Sequence, residues 1–324
     1  MRAARITAYG EPPELVDLDS PGEPGPYEGS PAGPAEVVEV LIAGLNPVDL
    51  AIASGRFDAG APPLPYTPGM EGIGRMADGE IVWFDGAHHP WGTLAERTVI
   101  SEGSGITLPP GTRPERAIAF GVAGMAAWLS LGWRGQLKDG ETVLILGASG
   151  SVGQIAVQAA RMMGAGRVVA MARSESGRSR ALELGADAAI DSEGTVDELV
   201  SRIREATGGG AHLVMDGLWG VPAAAALQAM QPQGRLVQVG NSAGIEAPVV
   251  AGPLRGGSVS ILGFRNFWAP REVRVDAFQR MCSLDASGDL EIEVEVLPLE
   301  DAAEAWKRQA ESPGRKLALR PGGA

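Results

Sequence analysis

The stretch ETVLILGASGSVG, residues 141–153, constrains the fold of this chain more than any other. Its apolar run, Val143-Leu144-Ile145-Leu146, reads as a buried strand. The run feeds a turn with glycines at Gly147, Gly150 and Gly153, and a helix-like segment, QIAVQAARMMGA, follows. Strand, glycine turn and helix in that order open a βαβ unit. Gly147 and Gly150 let the backbone turn sharply and come close to a pyrophosphate, and Gly153 lets the helix pack on the strand. The helix N-terminus offers free N–H groups and the positive end of its dipole to phosphate. Gly147, Ser149, Gly150, Ser151, Val152 and Gly153 are therefore the expected dinucleotide contacts. The competing reading is an ordinary βα turn of an α/β sheet.

The second strand, Arg167 to Ala172, decides between cofactors. A site for NADH usually ends this strand in Asp or Glu, which holds the ribose hydroxyls. Here the strand runs into Arg173-Ser174, with Arg178 shortly after. An acid would repel a 2′-phosphate, whereas two guanidiniums and a hydroxyl can bind one through charge-assisted bonds. NADPH is the expected cofactor. Glu175 works against this, and exposed loop residues are the bland alternative.

Strands and helical runs alternate from residue 142 onward: strands at 142–146, 167–171, 187–190, 212–216, 235–239 and 258–262 predict a parallel, doubly wound sheet. Before about Pro110 the signals are short strands and turns, including the alternating EVVEVLIAGL at 36–45. A Pro/Gly-rich stretch at 21–34 reads as a surface loop. From Pro114 the pattern ERAIAFGVAGMAAWLSLGW predicts a helix, and KLALR at 316–320 a closing strand.

The net charge of −13 disfavours nucleic acid and anionic membrane as partners, since both need a basic face. The single cysteine, Cys282, rules out a disulfide within the chain and a thiolate metal cluster. No apolar run reaches membrane-spanning length, so a soluble, cytoplasmic protein is expected.

Several segments carry a resemblance. Gly44-Leu45-Asn46-Pro47-Val48-Asp49 with Ser54-Gly55 is one, and Pro65-Tyr66-Thr67-Pro68-Gly69-Met70-Glu71-Gly72-Ile73-Gly74 another. Gly92-Thr93-Leu94-Ala95-Glu96, Gly185-Ala186-Asp187, Val239-Gly240-Asn241-Ser242 and Leu299-Glu300-Asp301-Ala302-Ala303-Glu304-Ala305 follow in order. Together they resemble the medium-chain dehydrogenase/reductase superfamily, and within it the zinc-free quinone oxidoreductase and enoyl reductase group. The resemblance implies an α/β architecture. A partly open, GroES-like β-barrel for substrate would span 1–118 and 267–324, a Rossmann domain would span 119–266, and the active site would lie in the cleft between them. It adds Gly240, Asn241, Ser242 and Phe264 to the cofactor contacts.

In zinc-dependent members, a cysteine and a histidine bind the metal at the places held here by Asn46 and Met70. Neither is a usual zinc ligand, which would be thiolate, imidazole or carboxylate. His88-His89 has no evident third ligand. No metal is expected, and hydride chemistry on a quinone or an activated double bond suits such a site better than alcohol oxidation. By resemblance Asn46 lies beside the nicotinamide and the substrate oxygen, where its amide can donate to a developing oxyanion; a cap before Pro47 is its competing role.

Ala51, Met70, His88, His89 and Trp91 are the expected substrate-pocket residues. Ala51 stands where many quinone reductases have tyrosine, and Ala126-Ala127 where many relatives have Thr-Ala. The section from Gly74 to Gly79 is shorter than the group's. These departures predict a roomier or reshaped substrate pocket. The leading expectation is an NADPH-dependent reductase of a small-molecule quinone or enone. A biosynthetic enoyl or ketone reductase of a larger intermediate, and a catalytically weak NADPH-binding sensor or scaffold, are the alternatives. The segment 258–263 is expected at a sheet edge, pairing with its copy in a homodimer.

Overall fold

A computed structural model describes residues 1–22, 34–57 and 60–322. Most of the stretch read as a Pro/Gly-rich loop, residues 23–33, lies outside the described residues. The chain divides into two compact units. One comprises Met1–Val122, Gln279–Ser287 and Ile292–Ala324; the other comprises Ala123–Phe278 and Gly288–Glu291.

In the first unit, β1 (Arg2–Arg5) and β2 (Glu14–Asp17) form an antiparallel pair. The main sheet contains β3 (Ala35–Gly44), β4 (Glu71–Arg75), β5 (Ile81–Asp85), β6 (Arg97–Ser101), β7 (Ile106–Thr107), β14 (Val294–Pro298) and β15 (Lys316–Arg320). Its order is β14-β15-β3-β4-β5-β7, with β6 also paired to β3. The pairs are antiparallel except β14 with β15. Val38 and Val40 alternate along β3 and share one face; a bulge at Leu41 then shifts the register against β4, so Ala43 and Leu45 carry on in the same buried core. The section between β4 and β5 is a tight turn, closed by Met76 N–H donating to Glu80 O over Gly79 at φ +92°.

The second unit holds β8 (Thr142–Leu146), β9 (Arg167–Ala172), β10 (Ala188–Asp191), β11 (Ala211–Asp216), β12 (Met230–Gln238) and β13 (Ser260–Gly263). The order is β10-β9-β8-β11-β12-β13, all parallel. The chain works outward from β8 in one direction and then from β11 in the other, so the strand order reverses between β8 and β11. Leu144, Leu146, Val169, Met171, Val214 and Leu236 pack with Leu199, Ile203 and Leu227 into one core.

Two expectations change. The helix read across 115–133 is broken into Pro114–Ala117, Val122–Leu129 and a π-turn at Ser130–Arg134. The break has a tertiary cause: Val122 N–H donates to the Glu71 carboxylate at 2.7 Å. Gly121 lies so close that a Cβ there would meet Trp83 Nε1 at 2.0 Å and Glu71 Oε2 at 2.2 Å. The last parallel strand starts at Ser260 rather than 258, because Gly256-Gly257 close the helix Ala251–Gly257 and Ser258 turns left-handed at φ +50°.

Candidate active site

The end of β8 is built for close approach. Gly147 adopts φ +85°, a left-handed turn that a side chain disfavours. Its N–H and that of Ala148 both donate to Met171 O at 3.0 Å, tying the turn to β9. Gly150, extended at φ −78°, caps the helix Ser151–Met162. A Cβ on Gly153 would lie 2.3 Å from Gly147 O and 2.5 Å from Ala148 Cα, so only glycine lets the helix lie on the turn. Around Gly150 the nearest atom to such a Cβ is 3.8 Å away, which leaves its open face free. Ser149, Ser151 and Val152 are half-buried around this helix start.

Because the six strands are parallel, their carboxyl ends share one edge. The register Met171–Leu146–Asp216–Gln238–Gly263 places Ala172-Arg173, Gly147, Gly217, Gly240 and Phe264 along it. Gly240 N–H donates to Asp216 O, and the Ser242 hydroxyl donates to Gly217 O at 3.1 Å. Asn241 is exposed, whereas Phe264 is buried with its ring tilted against Trp133. Asp216 itself is fully buried. Its Oδ1 accepts from Leu218 and Trp219 N–H at 2.9 and 2.8 Å, and its Oδ2 has no partner among the described residues. Burial pushes its carboxyl up to about 6, against the pull of those two N–H groups.

At the end of β9 the basic residues behave differently. Arg173 is exposed and is paired with no described carboxylate. Arg178 folds back: its Nη1 donates to Ala172 O and Arg173 O at 3.1 and 2.6 Å and lies 3.3 Å from Asp191. Ser174 caps the helix Glu175–Glu183 by accepting from Gly177 N–H, which leaves its hydroxyl hydrogen available.

In the first unit the structure reveals a buried polar network around Asn46. Asn46 is 4% exposed. Its Nδ2 donates to Glu71 Oε1 at 2.9 Å, and its Oδ1 accepts from Lys316 Nζ at 2.7 Å. Lys316 Nζ also donates to Glu71 Oε1 at 2.6 Å and to Leu45 O at 3.3 Å. The other Glu71 oxygen accepts from Trp83 Nε1 and Val122 N–H. Four donors thus satisfy a fully buried carboxylate, the condition under which a buried ion pair is tolerated.

Asp49 accepts Asn46 N–H on Oδ2 at 2.8 Å and Met70 N–H on Oδ1 at 2.9 Å, so it ties together the backbones of these two positions. Burial pushes its carboxyl up to about 7, opposed by the Asn46 N–H bond and by the Lys316 charge. Asn46 stands at the N-cap position of the helix Pro47–Ala53. Its side chain is held in the network, and the Asp49 carboxylate accepts the Asn46 backbone N–H as the other half of a capping box at the helix start. Glu71 and Lys316 were not singled out from sequence as site residues. The available signals were an acid between glycines at 69 and 72 and a buried-strand pattern, KLALR, headed by a lysine.

The remaining expected pocket residues are spread out. Ala51 is exposed on the helix Pro47–Ala53 and Met70 is half-buried. His88 is buried, with Nε2 2.9 Å from Ser101 Oγ, and burial lowers its pKa. His89 Nε2 lies 3.1 Å from Pro63 O, with its ring beside Tyr66. Trp91 lines a shallow cavity of about 250 Å³ with Arg5, Leu18, Asp19, Thr67 and Pro90. Among the described residues, no three His, Cys, Asp or Glu side chains converge as a metal site. No described helix is long and apolar enough to cross a membrane.

The crystal structure of the quinone oxidoreductase from Thermus thermophilus, also determined in complex with NADPH, aligns over 99% of this chain and 100% of its own. The sequence identity is 32% and the TM-score 0.77. The chain belongs to the medium-chain dehydrogenase/reductase superfamily. Prostaglandin reductase-3 of Mus musculus is 28% identical to this superfamily member over 282 residues, covering 80% of this chain and 71% of the mouse protein. A subunit of the phenolphthiocerol/phthiocerol polyketide synthase of Mycobacterium tuberculosis is 30% identical over 306 residues. That match covers 87% of this chain but 13% of the synthase subunit. A family model described as zinc-binding dehydrogenase matches residues 151–279, a segment that excludes Asn46 and Met70. The chain is an oxidoreductase of the quinone oxidoreductase and enoyl reductase type.

Proposed function

We propose that this protein is an NADPH-dependent, zinc-independent reductase that delivers hydride to a quinone or an α,β-unsaturated carbonyl compound. The observation that carries the reading is the glycine turn. Gly147 is left-handed, Gly153 has no room for a Cβ, and Gly150 opens a helix, all where the strand order reverses. That geometry fits a pyrophosphate.

The second unit holds the nucleotide. Gly147, Ser149, Gly150, Ser151, Val152 and Gly153 receive the pyrophosphate. Arg173, with the free hydrogen of Ser174 and the remaining donors of Arg178, receives a 2′-phosphate, and Gly240, Asn241, Ser242 and Phe264 border the nicotinamide half. Bound NADPH supplies the hydride. The Asn46 amide donates to the substrate carbonyl oxygen, where negative charge develops as an electron-poor carbon accepts the hydride. A proton from water then converts the enolate to the saturated carbonyl compound, or the quinol anion to the quinol. Zinc independence is supported by the donor set. Asn46 Oδ1 is already held by a lysine, and Met70 offers a thioether where zinc wants thiolate, imidazole or carboxylate.

The synthase match favours a second reading, an enoyl reductase acting on a larger biosynthetic intermediate. A turnover screen of chelator-treated protein tests both, with quinones, simple enones and enoyl thioesters as acceptors and NADPH or NADH as donor. Turnover of quinones or enones with NADPH supports the first reading. Turnover confined to thioesters supports the second, and none with any acceptor sinks both.

A further inference from the structure

The geometry points to Lys316 as the positioning residue that aims the Asn46 amide at the substrate oxygen, an inference that rests on the role proposed for Asn46. Three acceptors surround Lys316 Nζ: Leu45 O at 3.3 Å, Asn46 Oδ1 at 2.7 Å and Glu71 Oε1 at 2.6 Å. An ammonium has three hydrogens and no lone pair, so all three are spent. The Asn46 atom facing it must be the oxygen. Glu71 Oε1 offers only lone pairs, so the Asn46 atom facing it must be the nitrogen.

The two ends agree, and a flipped amide would set NH₂ against the ammonium and oxygen against the carboxylate. Asp49 fixes the backbone of the same residue through Asn46 N–H. One Nδ2 hydrogen goes to Glu71. The second has no acceptor among the described residues, which leaves one oriented donor. The ammonium on Oδ1 also withdraws electron density from the amide, which strengthens that N–H as a donor. Lys316 is 2% exposed and has no hydrogen to spare, so it acts through Asn46 and not on substrate.

The test has two arms. The first is a ¹⁵N–¹H spectrum of the protein without cofactor, in which the side-chain pair missing from Asn46→Ala identifies the Asn46 amide. Lys316→Met should shift that pair and raise its hydrogen-exchange rate at least roughly tenfold, while Lys316→Arg should largely preserve it. A folded Lys316→Met protein with an unmoved pair overturns the inference. Where Lys316→Met fails to fold because Glu71 is left unpaired, Glu71→Gln/Lys316→Met is compared with Glu71→Gln, and an Asn46 pair that does not move between those two overturns the inference.

The second arm is a double-mutant cycle on kcat with NADPH and 2-cyclohexen-1-one. Lys316→Met should lower kcat about tenfold in the natural background and less than twofold on Asn46→Ala, with the KM for NADPH unchanged. Multiplying effects would make Lys316 a structural residue only and overturn the inference. An Asn46→Ala protein of natural activity would instead overturn the proposed role of Asn46, and the spectrum tells the two failures apart.

Discussion

Replacing Gly150 with alanine separates cofactor contact from folding in the glycine turn. The backbone at Gly150, φ −78° and ψ 165°, is one alanine adopts without strain. The nearest atom to the new methyl, Gly147 O, is 3.8 Å away, an ordinary contact. At this N-cap position, alanine gives up about 0.5–1 kcal/mol relative to glycine. It recovers about 0.4–1 kcal/mol from the stiffer unfolded chain. Net stability should therefore stay within about 1 kcal/mol, a Tm shift of roughly 2–4 °C at most.

A pyrophosphate lying against Gly150 meets the methyl directly, and NADPH affinity should fall at least tenfold, about 1.4 kcal/mol. Fluorescence titration and a thermal scan on one preparation read both quantities. Gly153→Ala is the internal contrast. Its methyl would meet backbone at 2.3 and 2.5 Å, so the helix must part from the turn at a cost of about 1–3 kcal/mol or more. An unchanged NADPH Kd in a stable Gly150→Ala protein would place the pyrophosphate elsewhere and refute the reasoning.

Arg173→Ala should narrow the preference for NADPH over NADH, expected to be at least tenfold, without changing Tm. Arg178→Ala should narrow it and also lower Tm, since that side chain ties down the end of β9; equal Kd values for both cofactors in the natural protein would refute the phosphate site. Asp216 is held at about 6, above its unfolded value, so its burial costs stability increasingly as pH rises from about 4 to 6 and fully above that. Asp216→Asn should therefore gain on the natural protein by up to about 3 kcal/mol at pH 7.5 and by little at pH 4, measured by urea unfolding; a pH-independent difference would count against the buried charge. The strand β13 is an exposed sheet edge whose Ile261 is 40% exposed, and we propose that it pairs with a second copy. Ile261→Lys should then convert a dimer to a monomer in sedimentation, and a monomeric natural protein at micromolar concentration would exclude this interface.

What the sequence made legible was local. The glycine turn and the parallel strands follow from short apolar runs, punctuating glycines and a helical period, each contained within a few residues. The network at Asn46 was not legible in the same way. Glu71 and Lys316 are far apart in the chain and meet only because β15 and β4 both pair with β3, and no periodicity announces which charge answers which. The broken helix at 115–133 has the same origin. Its apolar spacing reads as helix, but Gly121 is a weak point that must leave room for Trp83, and Val122 N–H goes to Glu71, so a tertiary contact sets the break. At β13 the alternation of Ser258-Val259-Ser260 read as strand, whereas Val259 packs into the core beside a left-handed Ser258.

The most direct test of the central claim follows a labelled hydride through metal-free protein. Protein treated with chelator and shown by elemental analysis to be free of zinc is mixed with NADPH deuterated at the transferring C4 position and 2-cyclohexen-1-one. Mass spectrometry and NMR then locate the label. The account predicts saturated ketone carrying one deuterium on the carbon β to the carbonyl, with NADPH consumed in equal amount. Unlabelled product, or reduction that appears only when zinc is restored, would contradict it.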